Sequence, residues 1–195
     1  MTWIAFYYDN YGKHSHMSEA NYLDILKQGP SAWNSFLFDQ KIENADLHEL
    51  DLHGAHLRRA NFSHANLNLA NLGEADLSLA DLSDSNLTLA NLQRANLNGA
   101  DFSRANLEGA DLRQAKLTGV NLLGAYLRRA LLAGTDLRRA NFTNADLRGA
   151  DLSGSRLHKA NLQGADLEGA ILTNVEILDE AQPGTPSKSQ IGIAA

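Results

Sequence analysis

The side chains of this sequence best suited to chemistry are its carboxylates and imidazoles, 23 Asp and Glu together with 7 His. The aspartates do not gather as a catalytic pair would. Asp46, Asp51, Asp76, Asp81, Asp101, Asp111, Asp136, Asp146, Asp151 and Asp166 are separated by multiples of five residues. A positional rule therefore places them, and Asp and Asn are the residues that close turns through their own side chains. His14, His16, His48, His53, His56 and His64 fall early in the chain. Only His53 and His56 stand close enough to share a metal ion, and solvated surface histidines are the expected outcome. No serine has a histidine and an acid placed to activate it in a fixed cleft. With no cysteine, disulfides, zinc ribbons and thiol catalysis are excluded. The expectation is a protein without catalytic residues, cofactor or metal.

The elements that carry these residues follow from one period. From Ala45 to Asn174 leucine or phenylalanine recurs at every fifth position, giving 26 consecutive centres, of which only Phe62, Phe102 and Phe142 are not leucine. A small residue, usually alanine, stands two places before each centre, and Asp or Asn mostly stands just before it. A period of five fits neither a helix near 3.6 nor a strand of two. It is satisfied if the chain turns a corner every five residues, so that each centre points at a common axis. Four sides then close a square coil of about 20 residues, with the centre and the small residue facing inward. Glycine often follows the centre by two, as at Gly54, Gly99 and Gly109, where it supplies the positive φ of a type II corner.

This signature resembles the pentapeptide-repeat family, carried by runs such as "ANLNLANLGEADLSLADL" from Ala65 to Leu82 and "ANLNGADFSRANLEGADL" from Ala95 to Leu112. The resemblance implies an all-β solenoid, a right-handed quadrilateral β-helix, here of about 6.5 coils stacked at the usual strand spacing of about 4.8 Å. It also implies a helical N-terminal cap of the kind that precedes many bacterial, and especially cyanobacterial, members. Tyr22 to Leu37 ("YLDILKQGPSAWNSFL") is similar to such a cap. Ser18 is the expected N-cap of a first helix ended by Gly29-Pro30. A second short helix from Ser31 presents Trp33, Phe36 and Leu37 on one face. The expected organisation is an aromatic segment over 1–17, the cap over 18–43, the coil over 44–178 and a flexible polar tail over 179–195. No stretch is apolar enough to span a bilayer and the N-terminus does not read as a signal peptide, so a cytoplasmic protein is expected.

Inward positions are dictated by packing, so the outward ones carry the information. Between Ala45 and Val175 there are 15 acidic and 13 basic residues, a net of −2. A coil so close to neutral speaks against direct nucleic-acid binding. Its charges are unevenly shared. The third side, centred on Leu57, Leu77, Leu97, Leu117, Leu137 and Leu157, carries Arg58, Arg59, Lys116, Arg138, Arg139, Arg156 and Lys159 against Asp76 and Asp136, seven minus two or +5. The first side, centred on Leu47 through Leu167, has a net of −3, and the second and fourth are −2 each. A basic stripe of this kind attracts an acidic partner. A second departure is the run from Val120 to Leu131, where Leu123, Tyr126 and Leu131 stand at outward positions beside Arg128 and Arg129. Such an apolar group with an aromatic and arginines has the composition of an interaction hot spot. Leu69, Leu79 and Leu89 also point outward, with Leu69 and Leu89 expected to lie under the N-terminal segment.

These features point to a non-catalytic module that presents a rigid rod to a protein partner they do not identify. The family resemblance implies two alternatives. One is a duplex-mimicking protector of DNA gyrase or another type II topoisomerase. The other is a regulator of bacterial cell differentiation. Relatives of the first kind carry a strongly acidic coil, loops between coils and a C-terminal dimerisation helix, all of which this sequence lacks. An exposed last coil leaves end-to-end pairing of two copies open.

Overall fold

The computed structural model describes residues 19–177. Ser18, the aromatic segment 1–17, His14, His16 and the polar tail lie outside the described residues.

The coil runs from Asp46 to Glu176 as an unbroken series of parallel β-bridges, each joining residues 20 apart, from Asp46 to Asn66 through Arg156 to Glu176. Each side is a single bridging residue between turns rather than an extended strand. Five residues per side leave no room for more.

A typical repeat accounts for all five of its backbone N–H groups, which matters where amides are crowded together. Around the centre Phe62, Ala65 N–H closes the corner onto the Phe62 carbonyl at 3.0 Å. Asn66 N–H reaches the Ala45 carbonyl of the coil below, and Leu67 N–H reaches the Asn86 carbonyl above, at 2.9 and 2.7 Å. His64 N–H also bonds upward, to Ser83 O. The remaining donor, Ser63 N–H, is taken by the Asn61 side chain at 2.9 Å. The last bond explains why Asp or Asn stands before most centres. Asp81 serves Ser83, Asp101 serves Ser103 and Asn106 serves Glu108 in the same way.

Every corner has a left-handed backbone two residues after the centre. From Glu49 to Asn174 all 26 such positions have positive φ, of which 10 are glycine and 16 are not. The ten corner glycines supply this geometry as expected, and the other residues share it. Leu69, Leu79 and Leu89 adopt it at φ near 59°, at a cost of about 1–2 kcal/mol for a residue with Cβ. Closure of the coil offsets that cost, because a corner that failed would swing the next leucine out of the bore.

Inside, the centres and the small residues before them are fully buried through most of the coil. Burying one leucine side chain contributes about 2 kcal/mol. At the last coil the packing opens. Ala165, Leu167, Ala170, Leu172, Val175 and Ile177 are only half-buried.

At the other end two helices meet the first coil: α1 (Glu19–Leu26) and α2 (Pro30–Gln40). Proline at the start of α2 has no N–H to leave unsatisfied. The helix therefore begins one residue earlier than the expected Ser31, and it runs on to Gln40. Trp33 is buried and packs on Phe62, with ring centroids 5.8 Å apart. Its Nε1–H donates to the Asn61 carbonyl at 2.7 Å, while the Asn34 side-chain oxygen accepts from Asn61 N–H at 2.8 Å. Together they replace the backbone partners that a further coil would have offered Asn61. Phe36 and Leu37 pack partly against the core beside them.

Three inward small positions are hydroxylated. Ser85 and Thr135 donate to the carbonyls of Leu82 and Leu132. Ser155 Oγ is buried with no partner. Such an oxygen costs about 1–3 kcal/mol. Ser155→Ala is therefore expected to stabilise the coil by about 1 kcal/mol in urea unfolding, and Ser85→Ala, which deletes a made bond, to weaken it. A Ser155→Ala protein less stable than the parent would contradict this.

Candidate interaction surface

The outward positions of the four sides form the surface on which any site must lie. Residues before the centre stand mid-side, and the two after it form the corner. Along three of the sides the mid-side amides make a directional ladder. Asn86 Nδ2 donates to Asn66 Oδ1, and Asn66 Nδ2 donates to Asp46 Oδ1. Asn91, Asn71 and Asp51 repeat the pattern on the second side, and Asn141, Asn121 and Asp101 on the fourth. A carboxylate accepts but cannot donate, so an aspartate stands at the foot of each of these ladders.

The candidate hot spot does not converge. Leu123 lies at the corner between the fourth and first sides, and Tyr126 stands mid-side on the first. Arg128 and Arg129 take the next corner, and Leu131 stands mid-side on the second. The residues thus wrap around half of one coil, because neighbours in sequence are spread over successive corners. Tyr126 is 54% exposed and Leu123 38%, but Leu131 is half-buried between Asp111 and Asp151. Arg128 is engaged by Asp146 through Nε at 2.6 Å. Tyr126 and Leu131 also abandon the side-chain bond to the following turn, so Arg128 N–H and Ala133 N–H have no protein acceptor among the described residues.

The basic stripe does lie on one side. Arg58, Arg59, Lys116, Arg138, Arg139, Arg156 and Lys159 are all exposed there. Their partners differ. Arg58 donates to Ser78 Oγ at 2.9 Å. Arg138 grips Asp136 through Nε and Nη2, both at 2.7 Å, and Arg156 shares the same carboxylate at 3.1 Å. Lys116 cannot play the turn-closing role of an Asn. The Asn98 side chain of the previous coil takes Thr118 N–H instead. No ion pair is made among the described residues by Arg59, Lys116, Arg139 or Lys159. Elsewhere on the coil arginines meet carboxylates, as Arg94 with Glu74, Arg104 with Asp84, Arg113 with Asp111 and Arg148 with Asp146. The first two pairs join adjacent coils at a spacing of 20 and the last two close within one turn, and the five-residue pattern did not show either kind.

His48 pairs with Asp46 at 3.0 Å, and among the described residues no group of three potential ligands could hold a metal ion. His53 and His56 are both exposed. A shallow cleft of about 490 Å³ lies between α2 and the first coil, lined by Leu37, Ile42 and Phe62 with Glu43 and His64 at its edge. It belongs to the junction with the cap, whereas the sides of the coil are flat. No helix among the described residues is long and apolar enough to cross a membrane.

A parallel coil with a 20-residue register, leucine centres and flat polar sides defines a pentapeptide solenoid. The family model for pentapeptide repeats (8 copies) matches residues 45–84, 85–124, 121–158 and 135–174, and the chain belongs to that family. Among solved structures it is similar to HetL from the cyanobacterium Nostoc sp. strain PCC 7120, a protein involved in the regulation of heterocyst differentiation. The identity is 31% over 68% of this chain and 82% of HetL, with a TM-score of 0.39. A pentapeptide-repeat protein of the Arabidopsis thaliana thylakoid lumen is 28% identical over 60% of this chain and 86% of its own, with a TM-score of 0.46. The plasmid-mediated fluoroquinolone resistance protein QnrB1 is 24% identical over 66% and 78%, with a TM-score of 0.44. No curated protein matches the chain.

The ion pairs set a pH dependence. At Asp136 the Arg138 side chain holds the carboxyl below its usual 3.8, partial burial opposes it, and the Arg138 amide and the Arg156 charge add to the lowering. At Asp111 burial pushes upward, but the Arg113 side chain and amide, Gln93 and the Arg113 charge outweigh it. Depressed folded values mean that the unfolded chain binds more protons, so this stability is present above about pH 4 and lost as pH falls through the folded values. Urea unfolding from about pH 7 down to pH 2.5 should show a decline that begins near pH 4 and is shallower in Asp136→Asn. A flat profile through that window would contradict the assignment.

Proposed function

We propose that this chain is a non-catalytic protein–protein interaction module, a right-handed quadrilateral rod of about 6.5 coils that displays side chains to a cytoplasmic protein partner. One observation carries the reading. Every inward position is spent on packing, and the chemically varied residues stand on flat outward sides of the coil. A flat, rigid, repeating surface suits recognition of another macromolecule, whereas enclosing a small substrate needs a concave pocket. Membership of a family of structural and interaction proteins agrees with it.

The third side is the favoured recognition surface, because its seven cations face only Asp76 and Asp136. Tyr126 is a secondary contact, exposed on the first side. The same charge pattern disfavours duplex mimicry, which needs an acidic coil.

Affinity capture from the lysate of the native host tests this reading. The parent chain is expected to retain a protein saturably at low salt. Arg138→Gln with Arg139→Gln should weaken capture at least about tenfold, and Tyr126→Ala less. No saturable partner would overturn the reading. Inhibition or protection of DNA gyrase in a supercoiling assay at about micromolar protein would replace it with the topoisomerase alternative.

A further inference from the structure

The ion pairs of the coil are distributed so that one edge is left with unspent charge. Outside the third side, every coil arginine except Arg129 meets a carboxylate within 4.0 Å. On the third side Asp136 is already shared by Arg138 and Arg156, and Arg59, Lys116, Arg139 and Lys159 have no anionic partner among the described residues. Between Lys116 and Lys159 this side holds five cations and one carboxylate, five minus one or +4.

The unpaired cations have a defined geometry. Arg59, Leu79, Gly99, Gly119, Arg139 and Lys159 occupy one corner column, each in the coil above the last. Adjacent members of the column are about 4.8 Å apart and its full length is about 24 Å. Arg139 and Lys159 are therefore neighbouring like charges, an arrangement that an anion would relieve. Below them the column has a low floor. Leu79 is 44% exposed and leans over Gly99, where a Cβ would come within 2.8 Å of it, and Gly119 faces open space. One cation at the foot, an apolar contact, a flat stretch and two cations at the top is a pattern with direction.

We propose that this edge binds an acidic, extended segment of a partner protein, a deepening that rests on the interaction-module reading. An extended chain rises about 3.3 Å per residue, so about eight residues span the column. The matching segment has an acid at one end, an apolar residue beside it and two or three acids at the other end. A nucleic-acid backbone fits less well. Its charges are evenly spaced, whereas the column is uncharged at Leu79, Gly99 and Gly119, and four carboxylates lie mid-side along its two flanks, Asp76 and Asp136 on the third side and Asp81 and Asp101 on the fourth. The other three sides of the coil, at −3, −2 and −2, also repel a long polyanion.

The probe is a fluorescein-labelled octapeptide, Glu-Leu-Leu-Ser-Gly-Asp-Asp-Glu, read by fluorescence anisotropy against the full chain. Saturable binding is expected with Kd on the order of 100 µM at low salt. Arg139→Gln with Lys159→Gln should weaken it at least about tenfold, as should raising the salt several-fold. Glutamine already occupies the same corner position at Gln114 with φ 60°, so the substitution leaves the backbone undisturbed. Arg129→Gln, at another corner, should change nothing. The peptide with Gln and Asn in place of its acids should not bind. No saturation by about 1 mM, or binding indifferent to Arg139 and Lys159, would overturn the inference. So would tighter binding of a labelled eight-nucleotide single-stranded DNA. Failure here beside capture of a host protein that ignores Arg139 and Lys159 would overturn this inference alone. The broader reading falls with the capture itself or with the gyrase assay.

Discussion

Each side of the coil admits one leucine-sized and one alanine-sized side chain, and the rest of the structure follows from filling that narrow bore. A second large residue per side rarely fits, so the position two before the centre stays small, with Leu50 in the first coil and Val120 as the larger buried exceptions. For the next leucine to reach the axis, the chain must turn within two residues. That turn sets the bond from Ala65 N–H to the Phe62 carbonyl and its equivalents at the other corners. It also sets the positive φ that 16 non-glycine residues accept. Their conformational cost is borne because buried leucine and interlocking backbone bonds on both sides of each corner over-determine it.

The outward surface is then organised by what the backbone still lacks. One turn amide per repeat needs a side-chain acceptor, and Asp or Asn supplies it from the position before the centre. Because those side chains stack one above another, they also become a ladder, and arginines placed one coil away or on the same turn neutralise many of the carboxylates. Binding chemistry is confined to what remains after these demands are met. That remainder is small: a few exposed leucines, Tyr126 and a column of unpaired cations on the third side.

Much of this was legible before the structure. The unbroken run of 26 centres required a bore, and the 20-residue closure put Phe62, Phe102 and Phe142 in one column, all fully buried. Gly29-Pro30 marked the break between the helices, and Trp33, Phe36 and Leu37 faced the core as their spacing required. Other features were not legible. Leu123, Tyr126 and Leu131 look adjacent in sequence but fall on different sides, because each corner turns the chain away. Glycine marked only ten of the corners as positive-φ positions, yet the coil imposes that geometry on Leu69 and Arg139 alike. Trp33 and Asn34 as stand-ins for a missing coil depended on how α2 docks, which no local pattern specifies.

The central claim is that the five-residue side is an indivisible unit. It is tested most directly by comparing the thermal unfolding of two deletions at one place. Removing residues 125–129 takes out one complete side and returns every later leucine to the bore after a quarter turn. Removing Arg128 alone shortens one side and carries every later leucine off the axis. The first protein should keep a single cooperative transition within about 5 °C of the parent, and the second should lose about 15 °C or more. A one-residue deletion that melts at or above the five-residue deletion would contradict the account.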